Sequence, residues 1–245
     1  MKNELGFEYD PEVINVTLPE PNRERALFRV VRLFPEFVWD TTSLEGNPFT
    51  FPEVKTLLEG ITIGGHRLED ESQVINQSKS WKRLVDMVRN NEFELSKACL
   101  SELNGIVARE EALQWGVFRD GQVTIAGTKF VPPAHTELDA IFERGTDYIG
   151  RIASPLERGM AFCLFGALNQ FFYDGNKRTS RLMMNGILLK DGFDAISVPA
   201  ARRLEYNEKM VRFYDSLDGT EMISFLIKCS TFDLPEPSKG CIRPA

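Results

Sequence analysis

Two neighbouring apolar helical segments in the second half of the chain constrain its fold most strongly. Residues 160–172 are apolar on nearly every face of a helix, which is typical of a helix buried at the centre of a fold. A second helical pattern follows over Asn176–Lys190, and Gly192 provides its C-terminal stop. We therefore expect the first of these helices to form the buried centre of the molecule, with the second directly after it.

Helical spacing of apolar residues recurs over most of the remaining chain. Thr50–Glu53 has the pattern of a capping box with proline in the first turn, and Gly60 is expected to end that short helix. Ser154–Glu157 is a second capping box, at the start of the central helix. Pro35 is expected to end or kink the first helix of the chain. The remaining helices are predicted over residues 24–34, 74–88, 96–107, from 136 to about 150, 202–217 and 221–229.

One segment departs from the helical pattern. Residues 117–131 mix β-branched residues with two glycine turns, and Pro132 and Pro133 follow directly. This composition predicts a β-hairpin that ends at the prolines. The sequence therefore predicts an all-α, mainly helical fold with one small β-hairpin.

Composition narrows the class of protein. With 245 residues, of which 42% are hydrophobic, the chain can bury a sizeable core. A formal net charge of −7 argues against general binding to nucleic acid or to an anionic membrane, since both depend on a positive surface. The first residues do not resemble a secretory signal, and no apolar run has the length of a membrane span, so we expect a cytoplasmic protein. The four widely spaced cysteines are expected to be reduced: Cys99, Cys163, Cys229 and Cys241.

The segment 170–181, between the two apolar helices, carries the strongest functional pattern. It combines a candidate metal ligand, Asp174, and a glycine turn with three cations, Lys177, Arg178 and Arg181. A helix N-terminus offers free amides and a partial positive charge, and cations in its first turn are unfavourable unless an anion binds there. The pattern indicates a polyphosphate site with Mg²⁺ held by one carboxylate. A plain helix–turn–helix with solvent-facing cations is the alternative that spacing alone leaves open.

This segment resembles the signature of Fic-domain proteins, His-x-Phe-x-Asp/Glu-Gly-Asn-Gly/Lys-Arg-x-x-Arg. The resemblance implies the Fic fold, with ATP as substrate and Mg²⁺ bound, and transfer of AMP to a hydroxyl of a protein. Asp174 would hold the metal, and Arg181 would contact the γ-phosphate. The candidate phosphate-binding residues are Gly175, Asn176, Lys177, Arg178 and Arg181, and the candidate catalytic positions are Gln170, Arg178 and Arg181.

Two further segments are similar to parts of the same family. Residues 123–133 resemble the flap that lies over the active site and pairs with the target segment by strand addition. Residues 202–229 are similar to the final helices, so the likeness covers roughly residues 85–230. The candidate target-docking residues are Val123, Thr124, Ile125, Ala126 and Gly127.

Residues 41–47 resemble the inhibitory motif of the family, Ser/Thr-x-x-x-Glu-Gly/Asn, with Thr41, Glu45 and Gly46 in the matching positions. In such proteins the glutamate pairs with the second signature arginine, here Arg181, and so denies it to the γ-phosphate. A carboxylate and a phosphate compete for the same bidentate partner. The resemblance implies an N-terminal helical region over residues 1–84 that carries this motif, a Fic core over 85–232 and a flexible tail over 233–245.

The departure from the signature is at Gln170, where the family has a histidine as general base. A glutamine amide does not accept a proton at neutral pH. Two readings stay open: a weak or altered transferase that moves AMP to another protein or to its own chain, and an inactive module for nucleotide binding or protein interaction. His66 and His135 are not expected to replace the base. The protein target and the oligomeric state, including a homo-oligomer, stay open as well.

Overall fold

A computed structural model describes residues 4–230 of the chain. Ten α-helices are formed within this range, joined by turns and three short 3₁₀ segments, and no β-strand occurs in it. None of these helices is both long enough and apolar enough to cross a membrane. The helices are α1 (Arg23–Arg32), α2 (Phe34–Leu44), α3 (Phe51–Leu58), α4 (Leu68–Arg89), α5 (Lys97–Val107), α6 (Leu138–Gly150), α7 (Pro155–Asn169), α8 (Asn176–Lys190), α9 (Arg203–Ser216) and α10 (Thr220–Cys229).

The centre of the molecule is the pair α7 and α8, as the apolar pattern predicts. Nearly every residue of both helices is buried, and they make the most extensive interhelical contact among the described residues. A small residue allows their close approach, because a Cβ at Gly166 would lie 2.2 Å from Oγ of Ser180. Helices α4, α5 and α6 pack around the pair. The segment between α7 and α8 therefore stands on a rigid, fully packed base.

The N-terminal helices share this core. Helix α2 packs against α4 and α9, and α1 packs against α8. Buried side chains from both halves of the chain, such as Val38 of α2 and Leu188 of α8, belong to one continuous apolar cluster. The boundary expected between residues 84 and 85 falls inside α4, which continues through it. The end of α2 is thus held near α8 through α4, on which both helices pack.

Most predicted helix boundaries are confirmed to within a few residues, and the capping signals explain the agreement. The capping box at Thr50 is formed, with the Glu53 carboxylate accepting from the Thr50 backbone N–H at 2.7 Å. Only half of the capping box predicted at Ser154 is formed. The Ser154 hydroxyl oxygen accepts from the Glu157 backbone N–H, but the Glu157 carboxylate accepts from the Tyr9 hydroxyl and not from the Ser154 backbone. Pro35 does end the first helix, and it also lies in the first turn of α2.

The β-hairpin predicted over residues 117–131 is wrong. The segment is extended and turns at Gly127, but its two arms form no ladder of backbone hydrogen bonds. Side chains bind the carbonyls instead: the buried Arg119 donates to Gly121 O at 2.7 Å and to Pro133 O at 2.6 Å. Pro132 and Pro133 also lack the N–H groups that a ladder needs.

The cysteines of the described range are free thiols, as predicted. Cys99 and Cys163 are buried, and burial raises the pKa of the Cys163 thiol to about 12. Burial also raises the pKa of Cys229 to about 11. The raised pKa values keep the thiols of Cys163 and Cys229 protonated, and therefore unreactive, at neutral pH. Cys241 and the tail predicted over residues 233–245 lie outside the described residues.

Candidate functional site

The segment between α7 and α8 is shaped by two left-handed backbone positions. Gln170 ends α7 with φ of 49°, and Gly175 precedes α8 with φ of 75°. Glycine is required at the second position for steric reasons as well, because a Cβ there would lie 3.1 Å from atoms of Asn104, Val107 and Ala108. The turn brings the free amides at the start of α8 to the surface of a cleft.

Asn176 holds this segment together from inside. Its side-chain oxygen accepts from the Phe172 backbone N–H at 2.9 Å, and its amide nitrogen donates to Phe172 O at 2.8 Å. The same nitrogen donates to Oε1 of Gln170 at 3.0 Å. Asn176, which the resemblance assigns to the phosphates, is buried and makes these contacts within the loop.

Gln170 occupies the position of the general base with an amide that is fully engaged. Its Nε2 donates to Ala167 O at 2.6 Å, while its Oε1 accepts from Asn176. Its backbone carbonyl accepts from Nε of Arg119 at 2.6 Å. The geometry at this position therefore offers a fixed polar group and no group that takes up a proton.

The predicted functional segments meet at one cleft of about 430 Å³. The loop before α8 forms its floor, the extended segment forms one wall, and α9 and the end of α2 close the other sides. Five charged side chains line it: Glu45, Asp174, Lys177, Arg178 and Arg203. Gln170 and Tyr173 also line the cleft, with Asn207, Met210, Val211 and Tyr214 from α9 opposite.

Glu45 binds one cation of the cleft lining, Lys177, and a buried cation that is not part of that lining, Arg181. One carboxylate oxygen is 3.0 Å from Nζ of Lys177, and the other is 3.1 Å from Nη2 of Arg181. Burial alone raises the pKa of the Glu45 carboxyl, but Lys177 and Arg181 together lower it more, and the pKa falls from 4.5 to about 2. Glu45 is therefore ionised at neutral pH, and its single negative charge is shared between Lys177 and Arg181.

The buried Arg181 side chain is held by Tyr206 as well as by Glu45. The residue is 5% exposed, its Nη1 donates to the Tyr206 hydroxyl at 2.6 Å, and its guanidinium lies over the Tyr206 ring. Thr41 of α2 is buried and lines a small internal space together with Arg181. Gly46 then ends α2 with φ of 93°, and a Cβ there would lie 3.1 Å from Nη2 of Arg203. Of the three residues of the inhibitory resemblance, Glu45 thus contacts the first turns of α8, Thr41 lies near Arg181, and Gly46 lies against Arg203 of α9.

Arg178 has a partner that sequence reasoning missed. Glu111 receives both Nη atoms of Arg178, at 2.9 Å and 2.7 Å. Glu111 lies in the irregular segment after α5, where apolar periodicity carries no signal. Tyr206 and Arg203 were missed for a related reason, since each reads as an ordinary position of α9 until the fold brings it to the cleft.

Asp174, the candidate metal ligand, lies at the rim of the cleft with its side chain 52% exposed. Its Oδ1 contacts the Gly175 N–H and Nη2 of Arg178. The hydrogen bonds and the ion pair of this carboxylate within residues 4–230 are all made by Oδ1. No group of three metal-ligating side chains occurs in that range. A single carboxylate next to a phosphate site fits Mg²⁺, which keeps several waters and substrate oxygens as ligands.

The extended segment places part of the predicted flap at the cleft. Thr124, Ile125 and Ala126 line it, and Gly127 turns with φ of 86° and packs on Val211. Val123 directly precedes the lining residues, and its carbonyl accepts only a long contact from Gln122 Nε2, at 3.5 Å. Backbone groups of residues 123–127 make no backbone hydrogen bonds with the described residues.

The two histidines lie outside the lining of this cleft. His66 is 3.1 Å from the Glu53 carboxylate and stacks on the Phe49 ring at 3.9 Å, which is a structural role. His135 begins a short 3₁₀ segment before α6 and is exposed. Neither residue replaces the missing base in this arrangement.

Comparison with known proteins gives one family. Residues 94–188 match the sequence model of the Fic/DOC family. The protein adenylyltransferase Fic of Drosophila willistoni is 25% identical over 219 residues, which are 82% of this chain and 43% of that protein. The chain thus spans less than half the length of this curated relative.

Solved structures agree on the fold. A Fic domain containing signaling protein from Bacteroides thetaiotaomicron superimposes with a TM-score of 0.68 and 20% identity, covering 89% of this chain and 88% of that one. Fic-1 from C. elegans superimposes with a TM-score of 0.72 and 21% identity, covering 89% of this chain and 65% of that one. The mainly helical fold is therefore that of these Fic proteins, and the chain contains a Fic/DOC family domain.

Proposed function

We propose that this chain binds ATP with Mg²⁺ in the cleft before α8 and transfers AMP to a hydroxyl side chain of a protein, under inhibition by Glu45. The observation that carries the proposal is the position of the Glu45 carboxylate, bound at 3.0 Å to Lys177 and at 3.1 Å to Arg181. Two adjacent cations at a helix N-terminus, neutralised by a carboxylate from a different helix, form an anion site with a competitor already bound.

In this proposal, different residues of the cleft contact different parts of the nucleotide. Lys177 and Arg181 take the β- and γ-phosphates once Glu45 withdraws, and the amides from Gly175 onward face the α-phosphate. Asp174 supplies the one protein carboxylate for Mg²⁺, which neutralises phosphate charge when bound. Met210, Val211 and Tyr214 form an apolar wall of the cleft, which is the kind of surface expected to bind the adenine ring of ATP.

The acceptor side of the reaction is assigned to the extended segment. Backbone groups of residues 123–127 are free of backbone partners in the described range, and an extended peptide from a target adds to such a segment by strand pairing. A hydroxyl delivered there would face the cleft beside Gln170. The target is a protein, including this chain itself or a second copy of it.

Transfer is expected to be slow because Gln170 does not accept the proton of the acceptor hydroxyl. A positioned base contributes about 10²–10⁴-fold, or roughly 3–5 kcal/mol of barrier. Phosphate positioning and charge stabilisation survive without the base, and in phosphoryl transfer these carry most of the catalysis. The proposal is therefore a weak transferase with a complete phosphate site.

A second candidate function is a nucleotide-binding or protein-interaction module without catalysis. The hydrogen bonds of Gln170 favour it, since both ends of the amide are used to hold the loop, at 2.6 Å to Ala167 O and at 3.0 Å from Asn176. This module would keep the same cleft and the same competition between Glu45 and phosphate.

Labelling with radioactive ATP separates the two functions. The variant Glu45→Gly frees Lys177 and Arg181, and we expect it to label itself or an added protein substrate weakly, while Glu45→Gly with Gln170→His labels about 10²–10⁴-fold faster. Glu59→Gly is a matched control, because Glu59 also ends a helix, precedes a glycine of positive φ and is exposed. If Glu45→Gly gives no label while the double variant labels strongly, the transferase function of the natural chain is wrong and the non-catalytic module stands.

The organisation of the whole chain is proposed on the same basis. Residues 1–84 carry the inhibitory end of α2, residues 85–232 form the catalytic-type core, and the free thiols of the described range support a reducing, cytoplasmic compartment.

A further inference from the structure

Arg178 is bound by a carboxylate that lies outside the signature. Glu111 contacts it in a bidentate pair, with Oε1 2.9 Å from Nη1 and Oε2 2.7 Å from Nη2. The arginine side chain is 4% exposed and that of Glu111 is 16% exposed. A charge pair of this geometry, shielded from water, is a strong and directional contact.

The two Nη atoms have further contacts. Nη1 also donates to Val107 O at 3.3 Å, and Nη2 also donates to Oδ1 of Asp174 at 3.3 Å. Nη1 thus makes two hydrogen bonds, and Nη2 makes one hydrogen bond beside its ion-pair contact with Glu111. Both Nη atoms are occupied, so a phosphate has to displace Glu111 before it binds Arg178 in a bidentate pair.

Glu111 is connected to the inhibitory turn through α4. Its Oε2 accepts from Nε2 of Gln73 at 3.3 Å, and Oε1 of Gln73 accepts from Nδ2 of Asn47 at 3.0 Å. Asn47 follows Glu45 by two residues. The Glu111 carboxylate is thus hydrogen-bonded through Gln73 to the residue that lies two positions after Glu45.

We propose that Glu111 withholds Arg178 from the nucleotide phosphates, in parallel with the action of Glu45 on Lys177 and Arg181. This inference rests on the proposed ATP site. Its consequence is that removal of Glu45 opens only part of that site, because Arg178 stays paired until Glu111 also leaves. Glu111 lies on the irregular connection between α5 and α6, which also carries the extended segment of residues 123–127.

Replacing Glu111 by glutamine has two opposite effects under this proposal. The free protein loses stability, because a buried guanidinium is left with a weaker set of partners. A phosphate that reaches Arg178 then restores a charged partner, so ATP binds more tightly and stabilises the variant more than it stabilises the parent. A merely structural contact would produce only the first effect.

The experiment compares two double variants in the Glu45→Gly background. Glu45→Gly/Glu111→Gln is the test, and Glu45→Gly/Glu110→Gln is the control. The Glu110 side chain is 72% exposed, and its ion pair with the exposed Arg109 is a long surface contact of 3.7 Å. Titration calorimetry with ATP and Mg²⁺ gives the Kd of each, and thermal melting with and without ATP gives the stabilisation. We expect Glu111→Gln to lower the Kd by about tenfold and Glu110→Gln to leave it unchanged.

An unchanged or higher Kd with Glu111→Gln, together with a lower melting temperature, would overturn the inference and make Glu111 a structural contact. If that variant does not fold, Glu111→Asp replaces it: its side chain is one methylene shorter, so the carboxylate lies farther from both Nη atoms and the pair is weakened, and a lowered Kd is still expected. Failure of Glu45→Gly and of Glu45→Gly/Glu111→Gln to bind ATP would refute the proposed function and the inference together. Binding by Glu45→Gly that Glu111→Gln does not improve refutes the inference alone.

Discussion

At the scale of single residues, the site is organised by two carboxylates. Glu45 and Glu111 come from separate parts of the chain, and each binds a cation of the loop before α8. The cost of burying these charges is met by pairing, because a buried ion without a partner would be strongly unfavourable. The same pairing occupies the cations, so under the proposed function the residues that stabilise the free protein are the ones that would compete with phosphate.

The ionisation of Glu45 predicts a pH dependence of stability. Its pKa in the folded chain is about 2, below its ordinary value of 4.5, so the folded state favours the ionised form. The contribution of Glu45 is therefore complete above pH 4.5 and is lost as the pH falls towards 2. Denaturant titrations of the parent and of Glu45→Gln should show the difference in their free energies of unfolding shrinking across this window.

The comparison between these two proteins isolates Glu45, because other groups such as Glu53, whose pKa is also lowered to about 2, titrate in both. If the parent and Glu45→Gln differ in unfolding free energy by the same amount at pH 6 and at pH 3, the partners of Glu45 do not lower its pKa.

At the scale of elements, the close packing of α7 on α8 sets the position of the loop between them. A Cβ at Gly166 would lie 2.2 Å from Oγ and 3.1 Å from Cβ of Ser180, and that hydroxyl already donates to Asn176 O at 2.7 Å. The alanine methyl would push the helices apart or displace Ser180. The loop, which begins one turn after Gly166 and ends at α8, would move with them.

We therefore expect Gly166→Ala to lower the free energy of unfolding by about 1–3 kcal/mol. Gly150→Ala is the control, because nothing lies within 4 Å of the added Cβ at the end of α6. That control should be neutral or stabilising by up to about 1 kcal/mol. Equal losses in the two variants, measured by urea denaturation, would show that the contact between α7 and α8 is not tightly packed at this point.

Most of the helices could be predicted from the sequence because their signals are local, but α2 was missed, since Pro35 was interpreted only as the end of the first helix and not as the start of the next. Ser96 caps α5 and Gly192 follows α8 where the pattern places them, since a cap depends on neighbours within one turn. The hairpin prediction failed because β-branched residues and glycine turns do not reveal that a side chain of the same segment takes the carbonyls: Arg119 binds those of residues 121 and 133. Glu111 was missed because its partner lies 67 residues along the chain.

At the scale of the whole molecule, one core joins the N-terminal helices to α7 and α8. Helix α2 packs on α4 and α9, and its last turn reaches the start of α8, so any movement of α2 is a movement of Glu45 relative to Lys177 and Arg181. The competition between carboxylate and phosphate is therefore tied to the packing of an entire helix. Withdrawal of Glu45 needs either displacement of α2 or a rotation of this one side chain.

The most direct measurement of this account is the affinity for ATP with and without Glu45. Titration calorimetry with ATP and Mg²⁺ would compare the parent chain, Glu45→Gly and the matched control Glu59→Gly. We expect Glu45→Gly to bind ATP at least about tenfold more tightly than the parent, because Lys177 and Arg181 lose their competitor, and Glu59→Gly to match the parent. Equal affinities for all three proteins, or no binding by Glu45→Gly, would contradict a nucleotide site that Glu45 holds closed.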